Sequence, residues 1–166
     1  MNEGDFMTKL VTFNELPDSI TSEYINTGFS TEKLNIKNTR FDLENRIAKA
    51  KVDVLTDFVN SYGGNKDNSY HWSAITAYRA VSQLAIAYIC LQLGKPKIEV
   101  GEIMQISSSM ATTAPITQTK NVPVKLEFPK YIERGKRLLG EMNFDIAGKT
   151  FYGSIRFAVD LNQQLP

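Results

Sequence analysis

Along residues 46–54 apolar and charged positions take turns: Ala48, Ala50, Val52 and Val54 alternate with Lys49, Lys51 and Asp53. Successive side chains on an extended chain point to opposite faces, so this period of two predicts a strand with one buried and one wet face. Residues 34–43 read the same way. Val122, Val124, Leu126 and Phe128 repeat the alternation over residues 122–128, and further strands are expected at 97–106, 138–146 and 150–160. Ala147, Gly148 and Lys149 between the last two are turn formers that predict a hairpin.

Residues 74–94, AITAYRAVSQLAIAYICLQLG, break that rhythm. Ser73 is a suitable N-cap, Gly94 and Pro96 form a stop, and a helix over residues 73–93 is expected between them. Apolar residues such as Ile75, Val81, Leu84, Ile86 and Ile89 fall at almost every helical angle, and Arg79 is the one charged residue. A helix apolar all round has to be buried. The preceding run, Tyr62-Gly63-Gly64-Asn65-Lys66-Asp67-Asn68-Ser69, is rich in turn formers and predicts a loop on the surface or at a site mouth. Residues 1–32 mix polar residues with isolated Phe and Leu, which predicts an irregular segment with a short helix near residues 22–26.

One buried helix followed by long, mostly antiparallel strands argues for an α+β fold in which the sheet wraps around the helix, the arrangement known as the hotdog fold. The length of 166 residues fits one such domain, residues 1–166, with a core that needs no metal or disulfide. No sequence period recurs. Residues 107–119 are rich in Ser and Thr without being low in complexity.

A net charge of +1 with no basic stripe and no acidic tail gives no reason to expect nucleic acid or a strongly cationic partner. Cys90 is the single cysteine, which rules out an intramolecular disulfide and suits a reducing cytoplasm. The stretch MNEGDFMTKLVTF lacks the basic start and continuous apolar core of a signal peptide, and no run is expected to approach the length of a membrane span.

The chemistry gathers at the helix start. The first backbone N–H groups of a helix lack partners within it and carry the positive end of its dipole. Here these belong to Ala74, Ile75 and Thr76, the candidates for holding the carbonyl oxygen of a bound acyl thioester as it gains charge. His71, two residues before the cap, can orient water, act as general base, or merely donate to a backbone carbonyl. Tyr62, Tyr70 and Tyr78 flank the region, where a phenol can hold a water or serve only as a core edge. Thr76, Arg79 and Gln83 recur at three- and four-residue steps as one polar stripe, which is either a substrate-facing row or a solvent-facing or dimer-contact face. A buried Gln83 needs a partner of its own, so a structural role competes with contact to an acyl group. No phosphate-binding loop, dinucleotide glycine pattern, nucleophile elbow, HExxH or CxxC pair is present, so neither a metal nor a cofactor is expected.

Tyr70-His71-Trp72-Ser73-Ala74-Ile75 through Ser82-Gln83-Leu84-Ala85 resembles the FcoT-like thioesterases, whose central helix opens with G-H-F-N-A-V-E and continues to N-Q-L. Gln105-Ile106-Ser107-Ser108-Ser109-Met110 looks like that family's L-S-S-M strand, and Val124-Lys125-Leu126-Glu127-Phe128 like its F-S-A-R-L strand. The resemblance implies a homodimeric hotdog acting on fatty acyl thioesters of coenzyme A or acyl carrier protein. It also implies a place near isonitrile lipopeptide biosynthesis, where relatives add glycine to an α,β-unsaturated acyl thioester and then hydrolyse it. By the same resemblance the motif histidine falls on His71, the glutamine on Gln83, and the loop tyrosine on Tyr62, with Tyr70 competing. Two positions depart: Ser73 stands for the motif asparagine and Thr76 for its glutamate.

Hydrolysis of an acyl thioester is therefore the leading expectation, with the carbonyl at the N–H groups of residues 74–76, His71 and Tyr62 or Tyr70 placing water, and Ser73 counted with them as a catalytic candidate. In amine addition, Arg79 would anchor the amino acid's carboxylate. A hotdog dehydratase or hydratase needs a carboxylate with its histidine, and residues 73–93 contain no Asp or Glu. A non-catalytic acyl-binding hotdog is the alternative outside enzymes, favoured by the departures at Ser73 and Thr76.

Overall fold

The computed structural model describes residues 10–20, 32–56 and 72–161. In chain order they form β1 (Leu10–Glu15), a 3-10 turn at Asp18–Ile20, β2 (Glu32–Asp42), β3 (Ile47–Thr56) and the helix α1 (Ala74–Leu93). A 3-10 turn at Lys97–Glu99 leads to β4 (Ile103–Thr112), β5 (Val122–Arg134), β6 (Arg137–Ile146) and β7 (Phe151–Asp160). The seven strands make one antiparallel sheet in the order β1-β2-β3-β5-β6-β7-β4. α1 carries the chain from β3 in the middle of the sheet to β4 at its far edge, and β5 returns to pair with β3. This is the expected α+β hotdog arrangement, one helix held against a seven-stranded antiparallel sheet.

Alternation along the strands builds the core. Ala48, Ala50, Val52 and Val54 of β3 are buried, as are Val122, Val124, Leu126 and Phe128 of β5, while the intervening lysines face outward or pair at the surface. From the helix come Ala77, Ala80, Val81, Leu84, Ala87 and Ile89, all buried. Tyr88 stacks on Phe128 with ring centroids 3.9 Å apart. Facing Phe157 across the β6–β7 ladder is Gly140, where a methyl group would lie 2.3 Å from the Phe157 ring.

Four expectations need correction. Residues 1–32 are not uniformly irregular, since Leu10–Glu15 adds an edge strand to β2 with Phe13 set edge-on to Phe41. Six residues with two polar ones at the end carry too short an alternation to be legible. Residues 97–106 are not one strand: Pro96 leads into a 3-10 turn, and β4 begins at Ile103 and runs on to Thr112. That continuation is almost wholly exposed, so Ser and Thr fill it and the apolar alternation vanishes. β5 extends past Phe128 to Arg134 through a register shift between Glu127 and Lys130. Pro129 stands in that shift, the place in a ladder where a residue without an N–H is tolerated. Finally, α1 does reach the length and apolarity of a membrane span, but its window is mostly buried against the sheet, as the core helix of this fold requires. The short helix expected near residues 22–26 lies outside the described residues.

Candidate functional site

The start of α1 is held by its own cap and by the loop after β4. Ser73 is extended, with φ −74° and ψ 162°, and its Oγ accepts from the Thr76 N–H at 3.0 Å. Trp72, buried just before it, donates its N–H to the Ile116 carbonyl and its indole Nε1–H to the Gln118 carbonyl, both at 2.9 Å. The Ser- and Thr-rich stretch after β4 thus clamps the helix entry. At the far end Gly94 adopts φ 63°, and its N–H and that of Lys95 close on the carbonyls of Leu91 and Cys90.

Ser73, Ala74 and Ile75 are exposed, whereas Thr76 is buried. The cap takes up the Thr76 N–H, while the N–H groups of Ala74 and Ile75 have no acceptor among the described residues. Of the three donors expected for a carbonyl oxygen, these two belong to exposed residues. Ile75 beside them is 51% exposed, a large apolar side chain at the helix start.

The polar stripe is not on the surface. Thr76, Arg79 and Gln83 are 1%, 5% and 2% exposed, which corrects the solvent-facing reading. The reason lies on β2, where Glu32 meets the stripe from across the fold. Its Oε2 accepts from Thr76 Oγ1 at 3.0 Å and its Oε1 from Arg79 Nη1 at 3.4 Å, while its backbone carbonyl accepts from Arg79 Nη2 at 3.1 Å. Ser73 Oγ and Thr76 Oγ1 lie 2.8 Å apart. A buried guanidinium is tolerable only with such a partner. Sequence reasoning missed Glu32 because no spacing links it to Thr76, 44 positions away. The one trace available beforehand was the lone arginine on an apolar helix, which demands a carboxylate from somewhere.

Tyr78, half-buried on α1, donates its hydroxyl to Gln105 Oε1 on β4 and so ties the helix to the edge strand. His71, Tyr62 and Tyr70 lie outside the described residues, although His71 directly precedes the anchored Trp72. At the opposite end of α1 the buried groups are apolar in character. Burial pushes the Tyr88 phenol up to about 12 and the Cys90 thiol up to about 11, and raises Tyr131 further.

Fold and helix start together define a hotdog-fold protein whose central helix begins with exposed residues followed by a buried polar stripe. No family model matches the chain, and no curated protein matches it. Among solved structures it is similar to AziG of S. sahachiroi, at 18% identity over 78% of this chain and 92% of that one, with a TM-score of 0.46. A homologue of HP0420 from Helicobacter felis is similar at 13% identity over 71% and 73% of the two chains, with a TM-score of 0.44. A hypothetical thioesterase protein from Streptococcus pneumoniae, solved with coenzyme A, shares 8% identity over 76% and 85%, with a TM-score of 0.44.

Proposed function

We propose that this chain is an acyl thioester hydrolase acting on fatty acyl thioesters of coenzyme A or acyl carrier protein, in the manner of the FcoT-like thioesterases. The observation that carries the reading is the exposed first turn of α1, where two backbone N–H groups without acceptors among the described residues adjoin an apolar side chain and the half-buried Glu32 carboxylate. A thioester carbonyl seated on the N–H groups of Ala74 and Ile75 gains stabilisation as its oxygen becomes anionic, about 3 kcal/mol per donor. His71, with Tyr62 or Tyr70, orients the attacking water, and the acyl chain leaves along the apolar surface at Ile75. Gln83, buried one turn further along the same stripe, is the remaining polar residue assigned to substrate binding.

The edge strand β4 supports a homo-oligomer, with two copies joined along β4. Residues 103–112 carry no charge and no proline, and they expose Met104, Ile106 and Met110, so this edge lacks the usual protection against pairing with a second copy. The buried free thiol of Cys90 fits the reducing cytoplasm proposed for it.

Amine addition ahead of hydrolysis is less favoured, because Arg79, its intended carboxylate anchor, is engaged by Glu32. A dehydratase or hydratase gains from the same residue, since the carboxylate missing from the helix arrives from β2. One experiment separates these readings. The protein and its His71→Ala variant are incubated with short-, medium- and long-chain acyl-CoA and with enoyl-CoA, with and without glycine, and products are read by mass spectrometry alongside light scattering for mass. Free acid from the wild type, lost by about 100-fold or more in His71→Ala, supports the assignment. Undiminished hydrolysis in that variant removes His71 from the chemistry. Hydroxyacyl product without free acid favours the hydratase, intact thioester favours an acyl-binding protein, and a monomeric mass overturns the assembly.

A further inference from the structure

The geometry points to Glu32 as a positioning carboxylate that takes up the proton of the hydrolytic water through the hydroxyls of Thr76 and Ser73. This rests on the hydrolase reading and adds a residue from β2 that neither motif nor spacing assigns. Direction along the chain of hydroxyls follows from what each group can do. A carboxylate accepts and does not donate, so Thr76 Oγ1 gives its proton to Glu32 Oε2, as the 3.0 Å contact shows. Thr76 Oγ1 can then only accept from Ser73 Oγ, 2.8 Å away. Ser73 Oγ already accepts from the Thr76 N–H, which leaves one lone pair on an exposed residue next to the two helix amides. Every bond in the series is therefore oriented from open surface towards a carboxylate that Arg79 holds by both side chain and backbone carbonyl.

Water attacking the thioester forms a C–O bond and loses one proton to Ser73 Oγ. Ser73 passes its own to Thr76, and Thr76 passes its own to Glu32. Collapse of the tetrahedral adduct breaks the C–S bond, and the proton held on Glu32 returns along the same hydroxyls to the departing thiolate. The products are one carboxylic acid and one thiol, with Ser73, Thr76 and Glu32 restored. Thr76 also supplies at this position a hydroxyl bridge to a carboxylate that comes from another element.

Thr76→Val keeps the shape and removes the relay, Thr76→Ser keeps the hydroxyl, and Glu32→Gln keeps an acceptor for Thr76 that cannot take up a proton. Thiol release from acyl-CoA is measured for each, with thermal melts to verify folding. We expect kcat to fall about 100-fold in Thr76→Val and in Glu32→Gln with KM within about twofold, and Thr76→Ser to retain at least about a third of kcat. A purely structural threonine would shift the melt and leave kcat in place. Wild-type turnover with Thr76→Val or Glu32→Gln unimpaired, or with Thr76→Ser as inactive as Thr76→Val, overturns the relay and leaves the hydrolase standing. No thiol release from the wild type overturns the hydrolase and the relay with it.

Discussion

The two ends of α1 are buried by the same sheet and solve burial in opposite ways. Towards its start Thr76, Arg79 and Gln83 are sunk into the fold, and Glu32 of β2 meets Thr76 and Arg79. Towards its end Tyr88, Ile89 and Cys90 meet Phe128 and other apolar groups, and the terminus closes on itself through Gly94. An apolar end gains from exclusion of water alone, with no demand for a particular partner. A polar end requires matched geometry, because a buried charge that loses its partner costs several kcal/mol. The candidate chemistry is proposed for that polar end.

Breaking the ion pair gives the largest expected effect. Arg79→Met removes the guanidinium that faces the Glu32 carboxylate and should cost about 3 kcal/mol in urea denaturation, near the low end for a buried pair because the Glu32 side chain keeps 17% exposure. Leu84→Ala, in the fully buried apolar half, should cost a similar amount through a cavity. The two differ in rescue: adding Glu32→Leu to Arg79→Met should recover most of its loss, since an apolar pair needs no partner geometry. Failure of the double variant to recover would show that the polar end is not governed by charge pairing.

The apolar end should show itself at alkaline pH. Cys90 and Tyr88 have folded-state values raised to about 11 and about 12 by burial, above the ordinary 9.0 and 10.0. Raised values mean that the unfolded chain loses these protons first, so stability present below pH 9 falls as pH rises towards about 11 and beyond. For Cys90 the full loss is on the order of 2–3 kcal/mol. Denaturation curves of Cys90→Ala across that interval should decline less steeply than those of the wild type, and an unchanged slope would refute the burial of the thiol.

The caps give the smallest difference. Ser73→Ala removes a side-chain bond to the Thr76 N–H, and Gly94→Ala forces a side chain into φ 63°, each costing about 1 kcal/mol in thermal denaturation. Only the first should also reduce turnover. Equal loss of activity in both would place the effect in helix stability and not in the start of α1.

Much of the frame was legible from local patterning. The helix, its Ser73 cap and Gly94 stop, and the alternating faces of β3 and β5 follow from periodicity and turn chemistry that neighbouring residues determine among themselves. β1 and the exposed length of β4 were not, because an edge strand with little buried surface has no apolar rhythm to display. In the site, Ser73, Ala74 and Ile75 stood where the helix start predicted, and the third donor, Thr76, was taken by the cap.

By itself the sequence determined that one apolar helix must be enclosed by strands and that its first turn would carry polar residues, since both are consequences of spacing along a few turns of chain. Only the tertiary structure decided what those polar residues face. Glu32 reaches Thr76 and Arg79 because β2 lies beside the helix start, a proximity set by strand order across the whole sheet and not by any interval that residues count along the chain.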